Sequence, residues 1–420
     1  MIPTILLSTT ERWYPTVRMA MALSDAGCAV DVLCPPRHPV AKTSAIRTMY
    51  HYNGLMPSRS ITRAIAASRA ALVLPGDDLA ARQLHQLYRT EFHRSRPASQ
   101  ICDLIERSLG SPVGFELVHA RSAFMHLAQE EGVRVPETAA IGSATELRNW
   151  IARIGLPCVL KANGTSGGDG VQVVNCTAEA EHALNKLQAP PLLARAVKRA
   201  IVDRDLTLLR PSFSRRRYIV NAQAFIKGHE ATSTIACWKG SVLASLHFEV
   251  LQKMHSTGHA TVVRLIEHRE MALAADKIAR RLNLSGLHGL DFIVEASTGD
   301  AYLIEINPRT TQVGHLSLGP GRDLPAALYA AIRGKKIEAS ASITERDTIA
   351  LFPQEWKRDP RSTYLSSGYH DVPWQEPLLL SSCIGSTRKE VSNTSQRALP
   401  KPSVYPAQVV APASKSEGAA

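Results

Sequence analysis

Apolar residues recur with two rhythms along this chain, and the change of rhythm divides it. Over the first hundred residues, short apolar runs alternate with stretches of helical spacing. Residues 5–8 form an apolar strand, 14–26 carry apolar positions at helical spacing up to Gly27, and 28–34 form a second strand stopped by Pro35 and Pro36. Residues 61–70 read as a small-residue helix, 71–74 as a strand, and 78–88 as a helix opened by the turn Pro75, Gly76, Asp77. Strands alternating with helices need crossovers, which predicts a parallel sheet in an α/β unit.

Further on, the pattern changes to α+β. Residues 121–131 read as a helix ended by Gly132, 133–136 and 139–141 as extended, and 145–154 as a helix ended at Gly155, Leu156 and Pro157. Strands are expected over 159–162, 171–175, 219–226 and 233–238, and connections too short for crossovers favour antiparallel pairing. Residues 195–217 are a basic stretch with an embedded helix, read as an insertion, and 271–282 form an amphipathic helix. The expected organisation is an N-terminal α/β domain over 1–112 and a two-lobed unit over 113–335. The small lobe would span 113–217, with the insertion near 190–217, and the large lobe 218–335. A C-terminal extension follows over 336–385. Residues 386–420 are rich in Ser, Pro, Lys and Ala without apolar periodicity, a composition that predicts disorder.

Bulk composition narrows the classes. The 420 residues, 45% hydrophobic and 20% charged, match a globular protein of more than one domain. No apolar run approaches the roughly 20 residues a membrane span needs. The first residues read as a β-strand rather than a signal peptide. Seven scattered cysteines without a CxxC pair suggest reduced thiols and a cytoplasmic setting. A net charge of +12 invites a nucleic-acid reading, but the charge is spread along the chain and aromatics are only 5%, so nucleic acid is not the expected partner. A nucleotide or an acidic substrate draws on the same positive field.

Three segments carry chemistry. In the first, Lys161 ends a strand, and Gly164, Thr165, Ser166, Gly167, Gly168 and Gly170 lead into a second strand at Val171. Small residues let backbone N–H groups approach a polyphosphate, and the lysine adds a point charge. The lysine precedes the glycines and no helix follows, so this is not the Walker arrangement. In the second, two apolar strands flank a Ser-Thr-Gly-Asp turn between Asp291 and Arg309. Strict alternation puts Tyr302, Ile304 and Ile306 on one face and Leu303, Glu305 and Asn307 on the other. An odd hairpin loop sets Asp291 opposite Glu305 or Asn307. Two carboxylates about 4 Å apart repel by roughly 4 kcal/mol at an effective dielectric near 20, so keeping both ionised calls for a cation. Oxygen-only ligands suit Mg2+ shared with phosphates. In the third, a strand runs into a turn at Lys227 and Gly228, with Gln223 and Glu230 seven residues apart, a span able to reach a base edge and a ribose.

The order Arg121, Lys161, glycine-rich flap, Gln223, Glu230, Asp291, Glu305, Asn307, Pro308, Arg309 resembles the ATP-grasp superfamily over roughly residues 113–335. That group includes D-alanine–D-alanine ligase, biotin carboxylase and the carbamoyl-phosphate synthase large subunit. The resemblance implies an ATP- and Mg2+-dependent carboxylate–amine ligase working through an acyl phosphate, with Mn2+ as a substitute metal. It implies phosphate contacts from Arg121 and Lys161 and a flap formed by Gly167, Gly168 and Gly170. Gln223, Phe225 and Ile226 would sit at the adenine and Glu230 at the ribose. Asp291, Glu305 and Asn307 would be the metal ligands, with Arg309, His255 and Arg264 as candidate catalytic groups. Small-molecule acid and amine substrates and a homodimer are the implied partners. Arg121 stands where a lysine is commoner and Gln223 where a glutamate is. The arginine that peptide-type ligases carry two residues before the first metal carboxylate is here Gly289. Activation of bicarbonate or carbamate, and ATP binding without turnover, are the alternative readings.

Overall fold

The computed structural model describes residues 2–94, 99–164, 170–189, 218–337 and 341–383. Gly167, Gly168, the basic stretch 195–217 and the tail 386–420 therefore lie outside the described residues.

Strands β1 (Thr4–Ser8), β2 (Ala29–Cys34), β3 (Thr48–His51) and β4 (Leu72–Pro75) form a parallel sheet in the order β3-β2-β1-β4. β1 and β4 are buried at every position, as strands covered by helices on both faces are. Helices Tyr14–Asp25, Pro57–Ser68, Asp78–Arg94 and Gln100–Leu109 accompany the sheet. The expected parallel α/β unit is present. It holds one strand the apolar pattern did not reveal: β3 is an edge strand whose Thr48, Met49, Tyr50 and His51 are never fully buried, so no apolar run marks it.

A second sheet joins β5 (Thr138–Ile141), β6 (Cys158–Ala162), β7 (Val171–Val174) and β8 (Val220–Ala224) in the order β5-β8-β6-β7, antiparallel throughout. Helices Ala144–Ile154 and Thr177–Gln188 cover one face, burying Trp150, Leu160, Leu184 and Val220. The third sheet runs β13-β12-β9-β10-β11-β14-β15. Its strands are β9 (Gly228–Trp238), β10 (Ser241–Lys253), β11 (Ala260–Leu265), β12 (Gly286–Glu295), β13 (Ala301–Asn307), β14 (Thr348–Ala350) and β15 (Tyr369–His370). Helices Arg121–Glu130 and Arg269–Arg281 pack on one face around Phe124, Ile278, Phe292 and Leu303. The other face meets helix Leu324–Arg333, helix Tyr14–Asp25 and the parallel sheet in a shared core containing Leu7, Leu74, Phe248 and Leu328.

Three expected boundaries shift. β8 belongs to the small sheet, so the break between lobes falls after Ala224 and not at 217. Helix Arg121–Glu130 packs with the large sheet although its sequence position suggested the small lobe. The extension after 335 is not separate, because β14 pairs with β11 and β15 with β14.

Candidate active site

The hairpin β12–β13 sets Asp291 directly opposite Glu305 and Gly289 opposite Asn307. It reaches that register through a bulge. Near the turn, Val294 faces Ala301 and Phe292 faces Leu303; past Ile304 the pairing slips by one, to Asp291 with Glu305. Without the slip, Asp291 would oppose Ile304. The extra residue also explains why Leu303 and Ile306 share one core, against the strict alternation expected from the sequence. Glu305 and Asn307 then point away from that core, beside Asp291. A bulge re-aims side chains in this way next to functional sites.

Side-chain contacts weave the three residues together. Thr232 Oγ1 donates to Asp291 Oδ1 at 2.9 Å, and Asn307 Nδ2 donates to Asp291 Oδ2 at 2.8 Å. Arg121, the first residue of its helix, meets Glu305 Oε1 at 2.8 Å. Burial, reinforced by the neighbouring Glu305, pushes the Asp291 carboxyl up to about 6; the bonds from Thr232 and Asn307 and the charge of Arg309 work against that shift. Arg309 places Nε on Asp78 Oδ1 at 2.8 Å, an Nη on Asn307 Oδ1 at 3.1 Å, and its guanidinium 5.3 Å from the Trp13 ring centre. Its burial would lower its affinity for a proton, but Asp78, Asp291 and Glu305 outweigh that and raise it.

Lys161 stands on the facing wall. In β6 and β8, Leu160, Ala162, Val220 and Ala222 enter the small-sheet core, so Lys161, Asn221 and Gln223 turn to the opposite face. Lys161 is only 5% exposed, and burial together with Arg121 pushes its ammonium down to about 8, while Glu305, Asp291 and Glu230 pull it up. Both walls are therefore within electrostatic reach of each other. Ala162 N–H donates to Gly170 carbonyl at 2.9 Å, which closes the root of the flap.

Other expected residues fall in place unevenly. Gln223 is buried and donates to Thr138 Oγ1 at 3.0 Å. Phe225 is exposed and Ile226 half-buried, between the two antiparallel sheets in sequence. Glu230 pairs with Lys253 at 2.7 Å. His255 is exposed in the turn that follows Lys253. Arg264 is a correction. It lies across from Glu249 and is ion-paired to it, while its neighbour Val263 shares the core of Phe248, the residue opposite Thr232. Alternation puts Arg264 on the sheet face away from Asp291, so it is not part of this constellation. Asp78, Trp13 and Thr232 are the participants that sequence reasoning missed. None carries a motif, and only Asp78, opening a helix right after β4, had a positional cue.

Among the described residues, no cluster of three or more His, Cys, Asp or Glu side chains is arranged for a metal. The set Asp291, Glu305 and Asn307 is instead two carboxylates and an amide, an all-oxygen donor group. Its adjacent acids, one already driven toward its neutral form, fit a hard divalent cation. A Cβ at Gly289 would lie 2.5 Å from Thr311 Cγ2. Thr311 thus occupies the space into which a side chain at 289 would project.

Comparison with known proteins points the same way. Residues 122–313 match the ATP-grasp domain family. The chain is 25% identical over 311 residues to formate-dependent phosphoribosylglycinamide formyltransferase of Burkholderia pseudomallei, covering 74% of this chain and 70% of that protein. Its fold is similar to N5-carboxyaminoimidazole synthetase of Staphylococcus aureus, with TM-score 0.55 and 14% identity over 81% of this chain and 80% of that one. It is also similar to the biotin carboxylase domain of the Hydrogenobacter thermophilus 2-oxoglutarate carboxylase, solved with MgADP and bicarbonate, at TM-score 0.57 and 16% identity over 81% and 72% of the two chains. No helix among the described residues is long and apolar enough to cross a membrane. Residues 122–313 of this chain therefore form an ATP-grasp domain, and the chain around it is similar to the enzymes named above.

Proposed function

We propose that this ATP-grasp ligase activates a small organic carboxylate as its acyl phosphate and transfers the acyl group to an amine, releasing ADP and phosphate. The observation that carries the reading is the convergence of the Asp291–Glu305 pair, Asn307 and Arg121 on Lys161 of the facing wall. Asp291, Glu305 and Asn307 would hold Mg2+, which, when bound, neutralises phosphate charge. Mn2+ in its place, a homodimer and a cytoplasmic setting are the finer parts of the proposal.

Arg121 and Lys161 hold the polyphosphate, with Gly170 beside them. Gln223, Phe225 and Ile226 receive the adenine and Glu230 the ribose, with His255 at the edge of the phosphates. The substrate carboxylate oxygen attacks the γ-phosphorus in line and the bond to the β-phosphate oxygen breaks, so that ADP leaves. The amine nitrogen then attacks the acyl carbon, the acyl–oxygen bond to phosphate breaks, and the amine gives up a proton. For the phosphoryl step the protein supplies position and charge rather than covalent chemistry. Arg309, fixed beside Asp291, offers its charge to the phosphoryl group or its acceptor.

A coupled ADP-release screen across acid and amine pools tests this, with hydroxylamine as a trap and Glu305→Ala as control. Acid-dependent ADP release with a hydroxamate product, abolished in Glu305→Ala, is expected. ADP release dependent on bicarbonate without a hydroxamate would replace the organic acid by bicarbonate. Tight Mg-ATP binding with no ADP release from any acid would refute turnover.

A further inference from the structure

We propose that Asp78 and Trp13, both from the N-terminal α/β unit, are positioning residues for Arg309 and, through it, for Asn307. On the proposed reaction, the acid-activating site is then complete only with that unit docked.

Arg309 commits three of its five N–H donors. Nε goes to Asp78 Oδ1 at 2.8 Å, one Nη to the Thr310 carbonyl at 3.2 Å, and the other to Asn307 Oδ1 at 3.1 Å. The face of the guanidinium lies 5.3 Å from the Trp13 ring. A planar fork held at its edge by a carboxylate and on its face by an indole has its tilt and its roll both set. Asn307 continues the chain, since its amide Nδ2 donates to Asp291 Oδ2 at 2.8 Å. Contacts therefore run without a gap from Asp78 to the acidic pair.

The two positioning residues stand where the parallel sheet makes them available. Trp13 is the cap before helix Tyr14–Asp25, beyond the carboxyl end of β1, and Asp78 opens helix Asp78–Arg94, beyond the carboxyl end of β4. β1 and β4 are neighbours, and the chain leaves β1 in the other direction, toward β2 and β3. This is the point where strand order reverses, the place where open parallel sheets form their functional crevice. Asp77 fixes the spacing across it. Its carboxylate accepts from Thr9 Oγ1 at 2.7 Å, Thr10 N–H at 2.6 Å, Thr10 Oγ1 at 2.9 Å and Ala80 N–H at 2.8 Å, tying the β1 loop to the β4 loop. Thr310 N–H, next to Arg309, adds a bond to the Pro75 carbonyl at 3.0 Å.

An ordinary salt bridge that only steadies the docked unit predicts different results, so the full-length chain decides between them. Asp78→Asn, Asp78→Glu and Trp13→Leu are compared with wild type and with Arg264→Ala. Positioning predicts that Asp78→Asn binds ADP without metal as wild type does, within about twofold. It also predicts a fall in kcat and a rise in the Mg2+ concentration for half-activity, each by about 10–100-fold, as for partners that orient metal ligands. Asp78→Glu restores part of both. Calorimetric titration with Mg2+ and ADP gives a readout that needs no turnover. If Asp78 positions the site, Asp78→Asn needs about 10–100-fold more Mg2+ to bind ADP together with the metal than wild type does. An unchanged Mg2+ requirement, or kcat losses that merely track the folded fraction, overturns the proposal. Were wild type to show no ADP release with any acid, the function would fail while the calorimetric titration still judged the positioning.

Discussion

The two walls of the site solve opposite problems with the same device. The β12–β13 hairpin gathers acids and covers them until Asp291 is pushed up to about 6. The small sheet gathers a lysine and covers it until Lys161 is pushed down to about 8. Burial penalises whichever form is charged, so each wall is drawn toward neutrality near the middle of the pH range. A divalent cation returns Asp291 to its charged form, and a polyphosphate does the same for Lys161. The walls differ in rigidity of support. Asp291 is held by Thr232 and Asn307, whereas the Lys161 ammonium is held by charge and burial. In the proposed reaction the acidic wall would place a cation and the basic wall would attract the polyphosphate.

The largest break in this symmetry comes from Asp291→Asn. The replacement keeps the shape and an acceptor for Thr232 while removing the charge that a cation needs. Steady-state ADP release should lose at least about 10²-fold in kcat, the scale seen for single groups that stabilise developing charge. Thermal unfolding at pH 7.5 in the absence of metal should change little, since sparing a covered carboxylate its ionisation offsets the Asn307 bond that the new amide NH2 cannot accept. A destabilised but active variant would mean that the carboxylate serves the fold and not the chemistry.

How far the sequence led to these walls depends on what each residue does locally. Lys161, Asp291, Glu305 and Asn307 were legible because each sits at a fixed place relative to an apolar strand, and strand periodicity says which face it takes. The bulge at Ile304 was not legible. It inserts one residue without any glycine or proline to mark it, and only the shared burial of Leu303 and Ile306 betrays it. β3 escaped notice because an edge strand buries too little to need an apolar run. Asp78 and Trp13 escaped because their partner lies more than two hundred residues away, and no local pattern encodes a contact made by docking. Arg264 entered as a candidate through the resemblance, whereas the parity of its strand position decides its face.

Acidity should separate the two walls in one experiment. Asp291 carries a raised value, so below about 6 it is protonated in the free protein and must release a proton to take a cation. Mg-ATP affinity should therefore fall by up to about tenfold per pH unit below 6. Lys161 carries a lowered value, so above about 8 it is uncharged in the free protein and must gain a proton to meet the polyphosphate. Affinity should fall again on that side, giving a plateau between the two limbs. The sign for stability follows from the same shifts. The raised Asp291 favours the fold at low pH and loses that contribution as pH rises through about 6, while the lowered Lys161 costs stability in full below about 8, a cost relieved progressively as pH rises from there toward the ordinary lysine value of 10.5. Lys161→Met should weaken ATP binding by about 10–150-fold, as for a lost hydrogen bond to a charged group, and remove the alkaline limb alone. Calorimetric titration across pH 5–9 reads all of this, and an alkaline limb persisting in Lys161→Met would assign it to another group.

Arg264 provides the smallest expected effect and the sharpest check on which face is which. Its guanidinium is exposed and paired with Glu249, which also faces His229. Exposed pairs of this kind contribute about 0–1 kcal/mol, because water screens the charges and two long side chains lose freedom in holding them. Arg264→Ala should therefore leave kcat and the Mg2+ requirement within about twofold of wild type and shift the melting temperature only slightly. The pairing Thr232 with Phe248 and Glu249 with Arg264 makes this a test of strand parity as much as of one side chain. A tenfold loss of kcat with an unchanged melting temperature would put Arg264 back on the side of Asp291. The face assignment that separates the acidic wall from the outer surface would then have to be redrawn.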